Sequence, residues 1–388
     1  MLLVTVVTVG FVRLMVADQQ QASNNDLSQS ALDSAMAGVE DAKRALIKYQ
    51  QDCKVSVVRC GEAAQVVSGA DGRGAVCNAG LREVVGTGVE AGEIRVQQSV
   101  GDQALDQAYT CVKIMLKTPN YEGNLAANTS QLVPLISDTA FDRVVIEWFS
   151  DKNVASEGGG SNVDLEGVGS GQPLYTRGEW PSNRPSLMRA QVIQYANTFT
   201  VGNFDAVKGT QSNGATMFLY PTSQPNIGAK SFTEYDNRKT DIAPNPLPKD
   251  SVTTPTAVSC KSNLNSGGYA CKSELILPQA IGASGNERTA FLRLASFYNA
   301  SAFRITLSNG AFNPENPLAT LAEFDSVQPE IDSTGRANDL FKRVVSRVSL
   351  FDTTFPYPEG TIDITGDFCK DFAITKTQYI PGPNGCTP

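Results

Sequence analysis

Eight cysteines are the residues best suited to chemistry in this chain: Cys53, Cys60, Cys77, Cys111, Cys260, Cys271, Cys369 and Cys386. Their number is even, no two share C-x-x-C spacing, and the chain contains no histidine. A zinc site would need four thiolates gathered from scattered loops, so the expected chemistry is disulfide formation in an oxidising compartment. Four of the eight fall between positions 53 and 111. Four cysteines allow three connectivities. Cys53 with Cys60 and Cys77 with Cys111 is the preferred set, and the other two stay open. Cys260 and Cys271 bracket ten residues that include Asn265, Ser266, Gly267 and Gly268, which suits a hairpin with a local disulfide. Cys369 and Cys386 enclose sixteen residues near the C-terminus. A closed loop of that size contributes ~3 kcal/mol in the chain-entropy model.

The missing histidine excludes Ser-His-Asp and Cys-His catalysis and histidine–metal chemistry. No dinucleotide, P-loop or nucleophile-elbow motif is present. No enzyme activity, cofactor or metal is therefore expected. Asp164 and Glu166 lie in a glycine-rich stretch but lack the regular calcium-loop spacing. Asn128 and Asn299 open glycosylation-type triplets. Trp148 and Trp180 read as core or loop anchors. The formal net charge is −8 and no lysine- or arginine-rich run occurs, so nucleic acid is not an expected partner.

The elements that carry these groups begin with one long stretch. Met1 to Ala17 is apolar except for Thr5, Thr8 and Arg13, and a polar patch, Asp18 to Asn25, follows it. Leu32, Ala35, Val39, Ala42, Leu46, Tyr49 and Cys53 then recur at alternating spacings of 3 and 4, a heptad seam on one helix face. No proline precedes Pro119, so one helix over 1–53 is allowed. Ser23, Asn24 and Asn25 are poor helix formers and place a potential break at 18–25. At ~1.5 Å per residue, fifty residues reach roughly 75 Å. Residues 1–17 are apolar all round and suit a membrane or a multi-chain core. The amphipathic half, 27–53, suits docking on the chain's own head. A secretory signal peptide would carry a basic stretch before its apolar run, whereas this run starts at residue 1.

This N-terminal pattern resembles a mature type IV pilin, and more closely the PilX-like and general-secretion K-type pilins. Most pilins carry Glu at the fifth position; Thr5 stands here, and PilX-like and K-type N-termini often lack that Glu. The resemblance implies a pilus subunit that stays in the inner membrane before assembly and then packs its apolar half-helix into a filament core. The implied assembly residues are Met1, Leu2, Leu3, Val4, Thr5, Val6, Val7, Val9, Phe11, Val12, Arg13 and Leu14. The implied partners are other copies of the chain, other pilins, the pilus assembly machinery and a host-cell surface. The implied place is an extracellular pilus used for attachment and twitching-type motility. Ile331–Phe341 and Ile362–Phe372 are similar to segments behind PilX-like N-termini in pilus proteins of small-genome, host-attached bacteria. A minor or tip adhesin, or a membrane-anchored surface binding protein, are the alternatives. Arg13 either snorkels to the polar edge or pairs with Asp18 or Asp26 of a staggered neighbour. Its own Asp18 lies five positions away, beyond i+4 reach.

The rest of the chain reads as β-rich. Short β-type runs are expected at 55–58 and 93–100, and a strand at 108–118. A linker is expected at 119–135. Further strands are expected at 142–149, 188–195, 215–220, 273–277, 303–307 and 343–351. The segment 285–298 fits a helix or a strand, and Ser333 or Thr334 would cap a helix over 333–348. Glycine-rich 156–172 and Pro/Ser/Thr/Asn-rich 221–255 read as long surface loops. The expected fold is α+β: a long N-terminal helix packed on a disulfide-bonded antiparallel β head, with a second, β-sandwich-like domain. The expected boundaries are 1–53, 54–125, 126–354 and a disulfide-closed region at 355–388.

Overall fold

The computed structural model describes residues 2–74, 76–85, 93–96, 106–156, 162–165, 180–196, 214–223, 228–236, 255–282, 288–313 and 316–351. The fold is α+β, with a long N-terminal helix, sheets rich in antiparallel pairs, and disulfides. One compact unit holds Met1–Thr118 together with Gln328–Leu350, and a second contains Pro119–Val327.

Helix α1 (Leu2–Val55) runs unbroken for 54 residues. The break expected at 18–25 is absent. Three weak helix formers cost about 2 kcal/mol together, whereas starting a new helix costs about 4 kcal/mol at a nucleation constant of ~10⁻³. The cheaper course is to continue. The run at 55–58 is not a strand: Val55 ends α1, and Val57 and Val58 open the next helix. Ser56 adopts an extended backbone and its hydroxyl accepts from the Arg59 amide at 3.2 Å, which starts α2 (Val57–Ser68). The Cys53–Cys60 disulfide ties the two helices together and α2 runs back along α1. Helix α3 (Arg82–Val85), β1 (Ile94–Arg95) and β2 (Gln107–Thr118) follow. The Cys77–Cys111 disulfide joins the α2–α3 connection to β2.

The second unit contains β3 (Tyr121–Leu125), β4 (Thr129–Leu135), β5 (Phe141–Ser150), α4 (Asp151–Ser156), β6 (Leu187–Ala196) and β7 (Gly214–Thr222). It continues with β8 (Lys230–Ser231), β9 (Thr256–Ser259), β10 (Tyr269–Ile281), β11 (Arg288–Phe297), β12 (Ser301–Ser308) and β13 (Leu321–Ala322). The expected linker at 119–135 is instead β3 and β4, which pair with β12 and β11. Gly123 and Asn124 lie within β3, paired with Phe303 and Ala302, and only Asn128 serves the turn between β3 and β4, at φ 61°. Within the ambiguous segment 285–298, Arg288–Phe297 is a strand, paired on both sides by β4 and β6. One sheet runs β13-β12-β5-β10-β8, with β3 also on β12; the other runs β4-β11-β6-β7-β9. Alternating residues of both, such as Val144, Ile146 and Ile305 against Val192, Met217 and Leu292, share one core. Two edge pairs, β8 with β10 and β9 with β7, are parallel. Cys260 and Cys271 form the expected local disulfide. Trp148 is buried, and its indole N–H donates to the Ser186 carbonyl at 3.1 Å.

Strand β14 (Phe324–Ala337) and β15 (Leu340–Arg347) form a hairpin where a helix over 333–348 was expected. The reason is tertiary: β14 lies between β2 and β15 in the first unit's sheet, β1-β2-β14-β15. Residues 328–350 therefore return to the first unit, and the boundaries read as 54–125 and 126–354 do not hold as linear blocks. The region 355–388, with Cys369 and Cys386, lies outside the described residues, as do most of 156–172 and 221–255.

Helix α1 packs on this sheet through Ala31, Ser34, Ala35, Val39, Ala42, Ala45, Leu46 and Tyr49, all buried. Leu32, expected in the seam, is 37% exposed. At the centre, the Ser333 hydroxyl donates to the Ala35 carbonyl at 2.7 Å. The buried Tyr109 hydroxyl donates to Asp41 Oδ2 at 2.7 Å. Burial first, then the Asp41 hydrogen bond and charge, hold the Tyr109 phenol above its ordinary value. A phenol with a raised folded-state pKa adds stability below the unfolded value of about 10 and loses it as pH climbs beyond. Urea titration of the first unit should therefore show a falling midpoint above about pH 10. Tyr109→Phe should cost about 1.5 kcal/mol at neutral pH and flatten that alkaline fall. An unchanged alkaline slope in the variant would assign the effect to other groups.

Candidate assembly interface

Residues 8–26 of α1 are exposed on every side. The six large apolar residues Val9, Phe11, Val12, Leu14, Met15 and Val16 are between 49% and 71% exposed. A helix turns 100° per residue, so these six cover most of the circumference. Gly10, Arg13 and Ala17, at i, i+3 and i+7, share the remaining strip. A Cβ at Gly10 would meet nothing within 4 Å. No ion pair holds Arg13 among the described residues. No helix among the described residues is long and apolar enough to cross a membrane.

Of the residues expected in assembly, Val9, Phe11, Val12, Arg13 and Leu14 lie together on this bare helical segment. Leu2, Leu3, Val4, Thr5, Val6 and Val7 extend the same helix, and Met1 lies outside the described residues. Six cysteines pair as preferred: Cys53–Cys60, Cys77–Cys111 and Cys260–Cys271.

The other candidate groups are committed elsewhere. Asp164 Oδ1 lies 3.7 Å from the fully buried Arg184 guanidinium, so a cation would meet a positive charge there. Glu166 lies outside the described residues. No cluster of three acidic, Cys or His side chains exists among the described residues. Arg184 also donates to the Pro221 carbonyl at 3.0 Å and stacks over Trp180 and Tyr220 at 5.1 and 5.4 Å. Trp180 packs on Tyr298 at 4.7 Å, as a loop anchor should. The Asn299 amide donates to the Pro181 and Arg184 carbonyls, both at 2.7 Å, which fixes the 180–186 loop. That use is structural. Asn128 is exposed on its turn, its side-chain oxygen accepting from the Tyr298 amide at 3.3 Å.

Sequence reasoning missed a groove between α1 and α2. Its lining mixes Ala45, Tyr49, Ala63 and Val84 with the charged Lys48, Asp52, Arg59 and Glu62, and its volume is about 320 Å³. The available signal was the pair of small residues, Ala45 and Ala63, on facing helices. No family model, curated protein or solved structure matches the chain.

Proposed function

We propose that this chain is a non-catalytic structural subunit of an extracellular filament of the type IV pilus class. It assembles through the N-terminal segment of α1 and serves surface attachment and twitching-type motility. The observation that carries the reading is the uncovered apolar helix: six large apolar side chains at 9–16 stay 49–71% exposed. Burying a Leu- or Phe-sized side chain is worth ~1.5–3 kcal/mol, so such a surface persists where another body covers it. A membrane before assembly and other copies afterwards are the covers this reading supplies. The disulfides fit the exported, oxidising side.

The test is electron microscopy of shed surface material with antibody against the second unit. Labelled helical fibres are expected. Single heads anchored in membrane fragments, with no labelled fibre, would replace this reading with that of an anchored surface binding protein.

A further inference from the structure

We infer that Asn128 is an N-glycosylation acceptor, carrying an oligosaccharide on its side-chain amide, and that Asn299 is not. Such a modification requires export, not assembly, so it suits a filament subunit and an anchored head alike. Asn128, Thr129 and Ser130 form an Asn-x-Ser triplet with no proline at its centre. Residues 126–129 are all exposed, so a bulky group on Asn128 displaces nothing. The Asn128 backbone is left-handed at φ 61°, which asparagine accepts better than most residues. The Tyr298 N–H lies 3.3 Å from the Asn128 side-chain oxygen. A donor must face an acceptor, so this contact turns Oδ1 toward Tyr298 and Nδ2 away from it. Among the described residues Nδ2 has no hydrogen-bond partner. A glycan on Nδ2 leaves the Tyr298 contact in place, because that contact uses only the oxygen.

Asn299, Ala300 and Ser301 spell the same kind of triplet, and their geometry forbids the same use. Asn299 Nδ2 donates to the Pro181 and Arg184 carbonyls, both at 2.7 Å, and lies 3.2 Å from the Ser182 carbonyl. A glycan would take one of its two protons and put a sugar where the 180–186 loop runs. The hydroxyl two positions on is also enclosed: Ser301 is 1% exposed and accepts from the Phe149 amide at 2.9 Å. Ser130 is half-buried, and its hydroxyl accepts from Arg293 at 3.0 and 3.1 Å and keeps its own proton. The donor class is an oligosaccharide on a polyisoprenoid diphosphate. Asn128 Nδ2 bonds to C1 of the first sugar, the C1–O bond to the diphosphate breaks with both electrons leaving on oxygen, and one Nδ2 proton passes to a base. Among the described residues β4 has a strand partner on one side only, β11. A glycan at the start of β4 shields that open edge from pairing with another chain.

The test is peptide mapping by mass spectrometry of the full-length protein, purified folded and unreduced from the cells that make it. The peptide holding Asn128 should carry a mass increment that fragments as a series of sugar units, and the peptide holding Asn299 should carry none. Asn128→Gln and Ser130→Ala should each lose the increment completely, whereas Ser130→Thr, which keeps the hydroxyl, should retain it. Circular dichroism of the variants should match the parent, which separates loss of the acceptor from loss of the fold. A bare Asn128 in protein whose disulfides are formed overturns the acceptor and leaves export standing. A bare Asn128 in protein with free thiols overturns both. An increment that survives Asn128→Gln on Thr129 or Ser130, or one found on Asn299, overturns the acceptor as well.

Discussion

Gly335→Val should prevent α1 from docking on the first unit's sheet, and Gly335→Ala should weaken that docking by about 3 kcal/mol. A Cβ at Gly335 would run into the Ala35 amide nitrogen, the Ala31 carbonyl oxygen and the Ser34 carbonyl carbon. All three are helix backbone and cannot rotate aside. The opposing position is as tight: a Cβ at Gly38 would lie 2.5 Å from Ser333 Oγ and 2.8 Å from Val112 Cγ2. Helix and strand therefore touch backbone to backbone, and the Ser333–Ala35 hydrogen bond at 2.7 Å depends on that closeness. Calorimetry is the measurement. For a unit of this size, about 3 kcal/mol corresponds to a fall on the order of 10 °C in the first unit's transition. The second unit's transition should not move. Gly10→Ala is the control: it lies on the same helix with empty space around it, so it should stabilise the helix by up to ~1 kcal/mol. A Gly335→Ala protein as stable as the parent would mean that the contact relaxes freely.

That contact explains what the sequence could and could not tell. Periodicity located α1 and five of its true seam residues, Ala35, Val39, Ala42, Leu46 and Tyr49. It placed Leu32 in the seam because Leu is apolar, and passed over Ser34 and Gly38 because they are not. A backbone-to-backbone contact selects for smallness, not apolarity, so Ala31, Ser34, Ala35, Gly38 and Ala42 form the face. Strands with strong β-branched and aromatic content, such as β5, β6, β7 and β12, were legible from local composition. The β14–β15 hairpin was not. Ser333 and Thr334 resemble a helix cap, and only pairing with β2, more than two hundred residues earlier, makes the segment a strand. The same distance hid the unit boundary, since 328–350 belong with residues read at the other end of the chain. The bare apolar segment was legible because it needs no tertiary partner in its own chain to be recognised. The groove was not, since it exists only after the Cys53–Cys60 disulfide turns α2 back along α1.

Leu14→Asp should raise the critical concentration for assembly about a thousandfold or more and leave the first unit's melting temperature unchanged. Leu14 is 63% exposed, so its own chain loses almost nothing. In an assembled core the loss has two parts. Removing the buried leucine gives up about 2 kcal/mol. Placing a carboxylate among Phe11, Met15 and the neighbouring chain adds at least ~2 kcal/mol more unless a cation meets it. Arg13 precedes it on the helix but points 100° away. The sum, about 4 kcal/mol, is a factor of ~10³ in an equilibrium constant. Gln21→Asp adds the same charge to the polar patch seven residues on, two turns along the same helical face, and should change assembly only a few-fold. Sedimentation across a concentration series reads both variants against the parent chain. Equal critical concentrations for Leu14→Asp and the parent would mean that the 9–16 surface stays bare in the assembled state. A drop in the first unit's melting temperature would mean instead that the segment folds back on its own head, and the apolar helix would then be a core element of the subunit and not its means of joining others.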